Sequence, residues 1–210
     1  MHRYRFFVLD QDKQPAYEIR VNEAVLAQSI ELEHSLRLVM PYTQRVKSAG
    51  LPGLAIRVRD EESGSEQDFR VRRYSLTRSG RIATLNLECV HEDIDLLRRT
   101  ALFLDGKPAA SYKTGYALPH LDSAITRPEL LTAIMQPAVA EHGFTLELCN
   151  EAENDKRMLD ISFNFTNILD ALRQTLQRWS NAEKRYYAVV GNRTVQVKCK
   201  VYPDSNDPTS

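Results

Sequence analysis

The sequence predicts an α+β fold in two parts. Residues 1–90 read as a small antiparallel β-barrel or sandwich. Residues 91–202 read as an α+β domain with two main helices and a C-terminal β-hairpin, and 203–210 as a frayed tail or linker. Three observations carry this. Up to residue 90, short runs of alternating apolar and polar residues recur with turn signals about every 10 residues. Beyond it the apolar spacing changes to the helical period. Near the end a Gly-Asn pair divides two alternating runs, as in a hairpin.

In the first part, Arg5 to Leu9 is a run of aromatic and branched residues, and the cluster from Asp10 to Pro15 is a turn. Tyr17 to Val21 resumes the strand pattern, and Asn22 to Val25 reads as a short turn or the start of a helix. Ser29 to Met40 alternates around Ile30, Leu32, Leu36 and Leu38 until Pro41 breaks it. After a loop at 48–53, Leu54 to Arg59 alternates again, and the acidic Asp60 to Gln67 forms a hairpin tip. Phe69, Val71 and Tyr74 make one face of the return strand, with a turn at Arg78 to Arg81. Ile82 to Val90 presents Leu85, Leu87 and Cys89 on one side.

In the second part, Glu92 to Leu104 carries Ile94, Leu97 and Ala101 at helical spacing, and a loop follows from Asp105 to Asp122. Thr126 caps a helix with Pro128 and Glu129 in its first turn, Pro137 should kink or split it, and Gly143 stops it. Phe144 to Cys149 is a strand, Asn150 to Lys156 a polar loop and Leu159 to Phe165 a strand. Thr166 or Asn167 caps a helix whose inner face is Ile168, Leu169, Leu172, Leu176 and Trp179. Arg185 to Val190 pairs across Gly191-Asn192 with Thr194 to Tyr202.

Composition bounds function. Hydrophobic residues are 42% and charged residues 27% of 210, enough for a core and for solubility. Lys plus Arg and Asp plus Glu are both 28, which excludes a generic polyanion coat. The first 82 residues hold 14 basic and 11 acidic residues and the remainder 14 and 17, leaving room for complementary surfaces. Cys89, Cys149 and Cys199 are odd in number and widely spaced, so they read as free thiols in a reducing compartment. No signal-peptide pattern opens the chain, and no apolar run is long enough for a membrane span.

Chemistry-bearing motifs are few. No nucleophile elbow, P-loop, dinucleotide fingerprint or zinc-protease motif is present, so the expectation is a non-enzyme with no catalytic residue, cofactor or metal. The cluster His91-Glu92-Asp93-Ile94-Asp95 has the residue types of a metal or general-base site. Consecutive residues, however, point around a helix, and acids in a first turn suit its dipole. The five histidines, His2, His34, His91, His120 and His142, have no ligand spacing.

The Arg strip stands out. Arg70, Arg72, Arg73, Arg78 and Arg81 occur with no acid from Phe69 to Leu87, and Arg70 and Arg72 share a face of a regular strand. Such a strip suits an interface, the lining of an oligomer's lumen or, beside Phe69 and Tyr74, a nucleic-acid backbone. The plain alternative is a solvated strand face balanced by the acidic 60–68 loop.

Four stretches in order resemble the N-terminal hub region of bacteriophage and prophage tail proteins, the tail-associated lysin or prophage endopeptidase tail family. They are DFRVRRYSLTRSGRIATLNLECV, HEDIDLL, TRPELLTAIMQPAVAEHGF and ISFNFTNILDALRQTLQRWSNAEKRYYAVVGNRTVQVK. The resemblance spans most of 1–202 and implies a virion structural protein of the tail tip or baseplate hub. It implies a homo-oligomer, a trimer closing the tail tube, that docks to the distal tail protein, tail tube and tape measure. It also implies a place in the virion tail after assembly in the host bacterial cytoplasm. The family's hub continues into a second β-barrel, and residue 210 falls about where that barrel would begin. The alternatives are a nucleic-acid-binding β-barrel using the Arg70–Arg81 strip and, last, a hydrolase built on His91 and Asp93.

Overall fold

The structure, a computed structural model, describes residues 3–29, 32, 34–43, 51, 53–80, 82–104, 107–108, 126–155, 157, 163 and 167–202. The chain divides into two compact units. One is Met1–Ser29 with Glu33–Asp95, and the other is Ile30–Leu32 with Leu96–Ser210. Among the described residues they make an α+β protein with a large antiparallel sheet, four helices and a small C-terminal sheet.

Seven strands build the first unit: β1 (Tyr4–Leu9), β2 (Pro15–Glu18), β3 (Glu23–Gln28), β4 (His34–Pro41), β5 (Ala55–Asp60), β6 (Glu66–Ser79) and β7 (Ile82–His91). They form one sheet in the order β2-β1-β5-β6-β7-β4-β3, with every neighbouring pair antiparallel. The hydrogen-bonded ladder is open, with β2 at one edge and β3 at the other. Residues 19–22 link those edges: Ile19 N donates to Phe6 O and Asn22 N to Val39 O.

Alternation places Leu36, Leu38 and Met40 of β4, Ile56 and Val58 of β5 and Leu85, Leu87 and Cys89 of β7 in one core with Phe69 and Val71. Truncating one such fully buried Leu to Ala costs about 2–5 kcal/mol. The turn at 10–14 is an Asx turn, in which Asp10 Oδ1 accepts from the backbone N of Asp12 and Gln14.

The helix or turn expected at Asn22 to Val25 is instead β3, because six consecutive residues pair with β4. Its Ala-Val-Leu-Ala centre has no clear alternation, so the strand is defined by its partner. The strand expected from Ser29 starts at His34. Leu32 lies outside it in a left-handed conformation, φ 60°, and is buried. Ile30 falls outside the described residues, as do most of the expected 48–53 loop and of the 105–122 loop, and the whole 203–210 tail.

α1 (Glu92–Arg99) starts immediately after β7 and ends before Ala101, shorter than the spacing suggested. Beyond it lie β8 (Phe103–Leu104) and β9 (Lys107–Pro108), a two-strand ladder.

The second unit carries α2 (Arg127–His142), β10 (Thr145–Leu148), α3 (Asn150–Glu153), α4 (Ile168–Trp179), β11 (Lys184–Gly191) and β12 (Thr194–Val201). At the start of α2 the Glu129 carboxylate accepts from both the backbone N and the hydroxyl of Thr126. Pro137 does not split α2. Gly143, at φ 67°, ends it with its N–H on Val139 O. The polar loop expected at Asn150 contains the single turn α3, whose tight backbone bonds end at Asn154 and Asp155.

Asn167 caps α4, its Oδ1 accepting from Asp170 N, and all five expected inner-face residues are buried. The three-stranded sheet runs β10-β12-β11, parallel then antiparallel. The hairpin turns on Asn192-Arg193, not Gly191-Asn192. Both residues have positive φ, 52° and 58°, while Gly191 pairs with Thr194 inside the ladder. The strand expected at Leu159 to Phe165 lies outside the described residues except Phe163, which is buried.

Candidate interaction surface

β6 and β7 pair along almost their whole length, but the register shifts between Val71 and Arg73. Phe69 lies opposite His91 and Val71 opposite Cys89. After the shift Tyr74 lies opposite Leu87 and Leu76 opposite Leu85. Arg72 is therefore the extra residue of a bulge, and Arg70 and Arg72 do not follow simple alternation. The bulge also explains how Tyr74, three residues past Val71, faces the same side. Tyr74 is nevertheless 50% exposed, because the outer half of β6 extends beyond the core.

The bulge divides the Arg strip. Arg70 reaches Glu92 Oε1 at 3.3 Å, and Lys13 reaches Glu92 Oε2 at 2.9 Å. Arg72 pairs with Asp95, which is 2% exposed. The acids of the first turn of α1 thus face its positive dipole end and also neutralise the near end of the strip. Arg73 and Arg78 sit on the exposed outer half of β6. Arg73 lies across from Glu88. Arg81 falls outside the described residues.

His91 and Asp93 are both buried, and Asp93 N donates to His91 Nδ1 at 3.3 Å. The His91 ring stacks on His34, with centroids 4.6 Å apart and planes 7° off parallel. Phe69 stands edge-on to both rings at 5.3 Å. Burial first, then the neighbouring His91, pushes the His34 imidazole down to about 4. Among the described residues, neither buried His34 ring nitrogen has a geometric hydrogen-bond partner, and neither does Gln67 Oε1. Sequence spacing gave no sign of this pair, because the two histidines meet across β4 and β7. His2 and His120 fall outside the described residues.

The second unit holds a cluster that sequence reading missed. Asp155 accepts from Arg127, Arg157 and, at 2.7 Å, the indole N–H of Trp179. The Arg157 guanidinium, with Trp179 and Arg127, holds its carboxyl well below the usual carboxylate range. Trp179 stacks on Tyr186 with centroids 4.7 Å apart. The cluster ties α4 to the segment after α3 and, through the Trp179–Tyr186 stack, to β11.

Among the described residues, no three His, Cys, Asp or Glu side chains are placed to hold a metal ion. Among them too, no helix is long and apolar enough to cross a membrane. Cys89 is buried, and its thiol is pushed up to about 12 by burial first and Glu88 second. An open groove of about 810 Å³ runs between the two sheet edges, where Arg5 forks onto Glu18.

No protein-family model and no curated protein matches the sequence. Solved structures do. A tail protein from Neisseria meningitidis MC58 matches 93% of this chain at 12% identity with a TM-score of 0.58. The 43 kDa tail protein of prophage MuSo2 from Shewanella oneidensis matches 93% at 12% identity with a TM-score of 0.55. The chain spans about half the length of each, 50% and 52%. Over 93% of its length this chain therefore shares its fold with tail proteins, one of them from a prophage.

Proposed function

We propose that this chain is a structural part of a phage or prophage tail, at the tip or baseplate hub, and not an enzyme. It acts by assembling with further copies of itself, as a trimer, and by docking to other tail proteins such as the distal tail protein, tail tube or tape measure. It works in the virion tail after assembly in the host cytoplasm. The observation that carries this reading is the fold shared with two tail proteins over 93% of the chain. In it the first unit works as a barrel-like body, its open sheet closed on itself through residues 19–22. Residues 1–90 form the hub domain and 91–202 the α+β domain. Arg73 and Arg78 serve as the contact or lumen-facing part of the Arg strip, while Arg70 and Arg72 hold α1.

Light scattering of the purified protein, alone and with tail components, tests this. A mass three times the 24.1 kDa chain is expected, or a defined complex with a tail protein. A monomer at every concentration that binds no tail component would sink the reading.

A further inference from the structure

The C-terminal hairpin gathers cations without acids. From Lys184 to Tyr202 the sequence holds five Lys or Arg and no Asp or Glu. Alternation sorts them. Tyr186, Ala188 and Val190 of β11 and Val195 and Val197 of β12 are buried on one face. Arg185, Tyr187, Lys198 and Lys200 therefore lie on the other, the three cations exposed and Tyr187 half-buried. Tyr202 follows β12 on that face, its N–H donating to Glu183 O, and is 38% exposed.

Register then sets like charges face to face. Arg185 lies directly opposite Lys200, and Tyr187 opposite Lys198. Like charges opposed across an antiparallel pair destabilise it. The first unit does the reverse: Arg57 lies opposite Asp68 and Arg59 opposite Glu66, and both couples form ion pairs. On the hairpin, among the described residues, no ion pair joins Arg185, Lys198 or Lys200 to an acid. Two acids border the patch, Glu183 at one end and Glu147 at the other, where it accepts from Gln196 at 2.8 Å.

Rings alternate with these charges. Lys200 Nζ stands 5.2 Å from the centre of the Tyr202 ring, and Lys198 faces Tyr187 across the ladder. An anion set between opposed cations relieves their repulsion, and a ring beside each offers a flat apolar surface. Single-stranded nucleic acid supplies phosphate and base in just such alternation, and a base of any sequence stacks on an aromatic ring. A run of acidic side chains would meet the charges and leave both rings unused. The outer half of β6 is arranged otherwise, with Arg73 across from an acid, Glu88.

We infer that the outer face of the β11–β12 hairpin binds single-stranded nucleic acid, with phosphates at Arg185, Lys198 and Lys200 and bases on Tyr187 and Tyr202. The site lies wholly within the second unit and does not depend on the assembly reading above. Three phosphate contacts to a single strand set a log–log salt slope of about −2, a loss of about 20-fold in affinity between roughly 50 and 200 mM salt.

Fluorescence polarisation of a labelled oligothymidylate titrated with the full chain provides the test, with folding checked by far-UV circular dichroism. A saturable shift at low salt with that slope is expected. Arg185→Gln with Lys198→Gln and Lys200→Gln should abolish the shift. Tyr187→Leu should weaken binding about tenfold and keep the slope, because it removes a stacking surface and no charge. Arg73→Ala with Arg78→Ala should bind as the wild type does. The inference is overturned by the absence of any shift at low salt, or by binding that needs Arg73 and Arg78 but not the hairpin cations. Equal binding of a duplex of the same length overturns the single-strand assignment. Displacement by polyglutamate, with Tyr187→Leu binding as the wild type does, gives the face to an acidic protein segment instead. None of these outcomes changes the mass by which the assembly reading is judged.

Discussion

Acid should unfold the first unit through His34. Its imidazole is 5% exposed and stacked on His91. Burial and the second imidazole lower its folded value to about 4 from an ordinary 6.5. The sign follows from linkage. A group that resists protonation in the folded state contributes stability that is fully present above about 6.5 and lost as pH falls toward 4. At pH 5 the loss is about 2 kcal/mol, and the complete loss below pH 4 is roughly 3 kcal/mol. Asp60 is held down to about 2, chiefly by the hydrogen bond from Arg3, so its contribution is lost at lower pH. The lone Trp, Trp179, lies in the other unit and is the wrong probe. Cys89 is buried in the right one. Urea unfolding followed by labelling of Cys89 with a dipyridyl disulfide, mapped by peptide, should show a lower midpoint at pH 5 than at pH 7.5. His34→Leu, of similar volume, should remove most of that difference. Equal pH dependence in wild type and variant would refute the assignment to His34.

Three further outcomes follow from the same geometry. Arg72→Ala removes the ion pair to the buried Asp95 carboxylate and should cost about 3 kcal/mol, whereas Arg73→Ala should change stability by no more than about 0.5 kcal/mol, both read from urea midpoints. Asp155→Ala removes the partner of Arg127, Arg157 and the Trp179 indole, and should destabilise the second unit by about 3 kcal/mol in Trp fluorescence unfolding. Asn167→Ala leaves Asp170 N without its cap and should cost about 1 kcal/mol in the same assay.

Legibility in the sequence tracked the range of the forces. α4 was readable to within one residue of its cap, Thr166 or Asn167, because the cap and the apolar stripe lie within one helix. β4, β5 and β7 were readable because one buried face imposes alternation. β3 was not, since an edge strand exposed on every residue is under no such constraint. The Asn192-Arg193 turn was displaced by one residue because Gly191 suggests a turn wherever it occurs, although here it sits in the ladder. The His34–His91 stack and the Asp155 cluster join residues far apart in sequence, so no spacing rule reaches them.

The Arg strip shows what pairing across such distances does to a functional reading. Both partners were visible, five Arg in one run and three acids in HEDID, and each had a sufficient local explanation. What joins them is the bulge at Arg72, together with β7 running directly into α1. That geometry consumes Arg70 and Arg72 in ion pairs with Glu92 and Asp95. A backbone-tracking strip needs consecutive free cations, and two of these five are committed to holding a helix start. What remains on the outer half of β6 is a smaller charge, Arg73 and Arg78, set beside exposed Tyr74 and Leu76. Apolar area edged by a few cations is the composition of a protein contact more than of a phosphate track, since phosphate affinity scales with the number of cations engaged. The charge balance of the whole chain therefore conceals an internal neutralisation, and the charge left over on that arm is what a partner would meet.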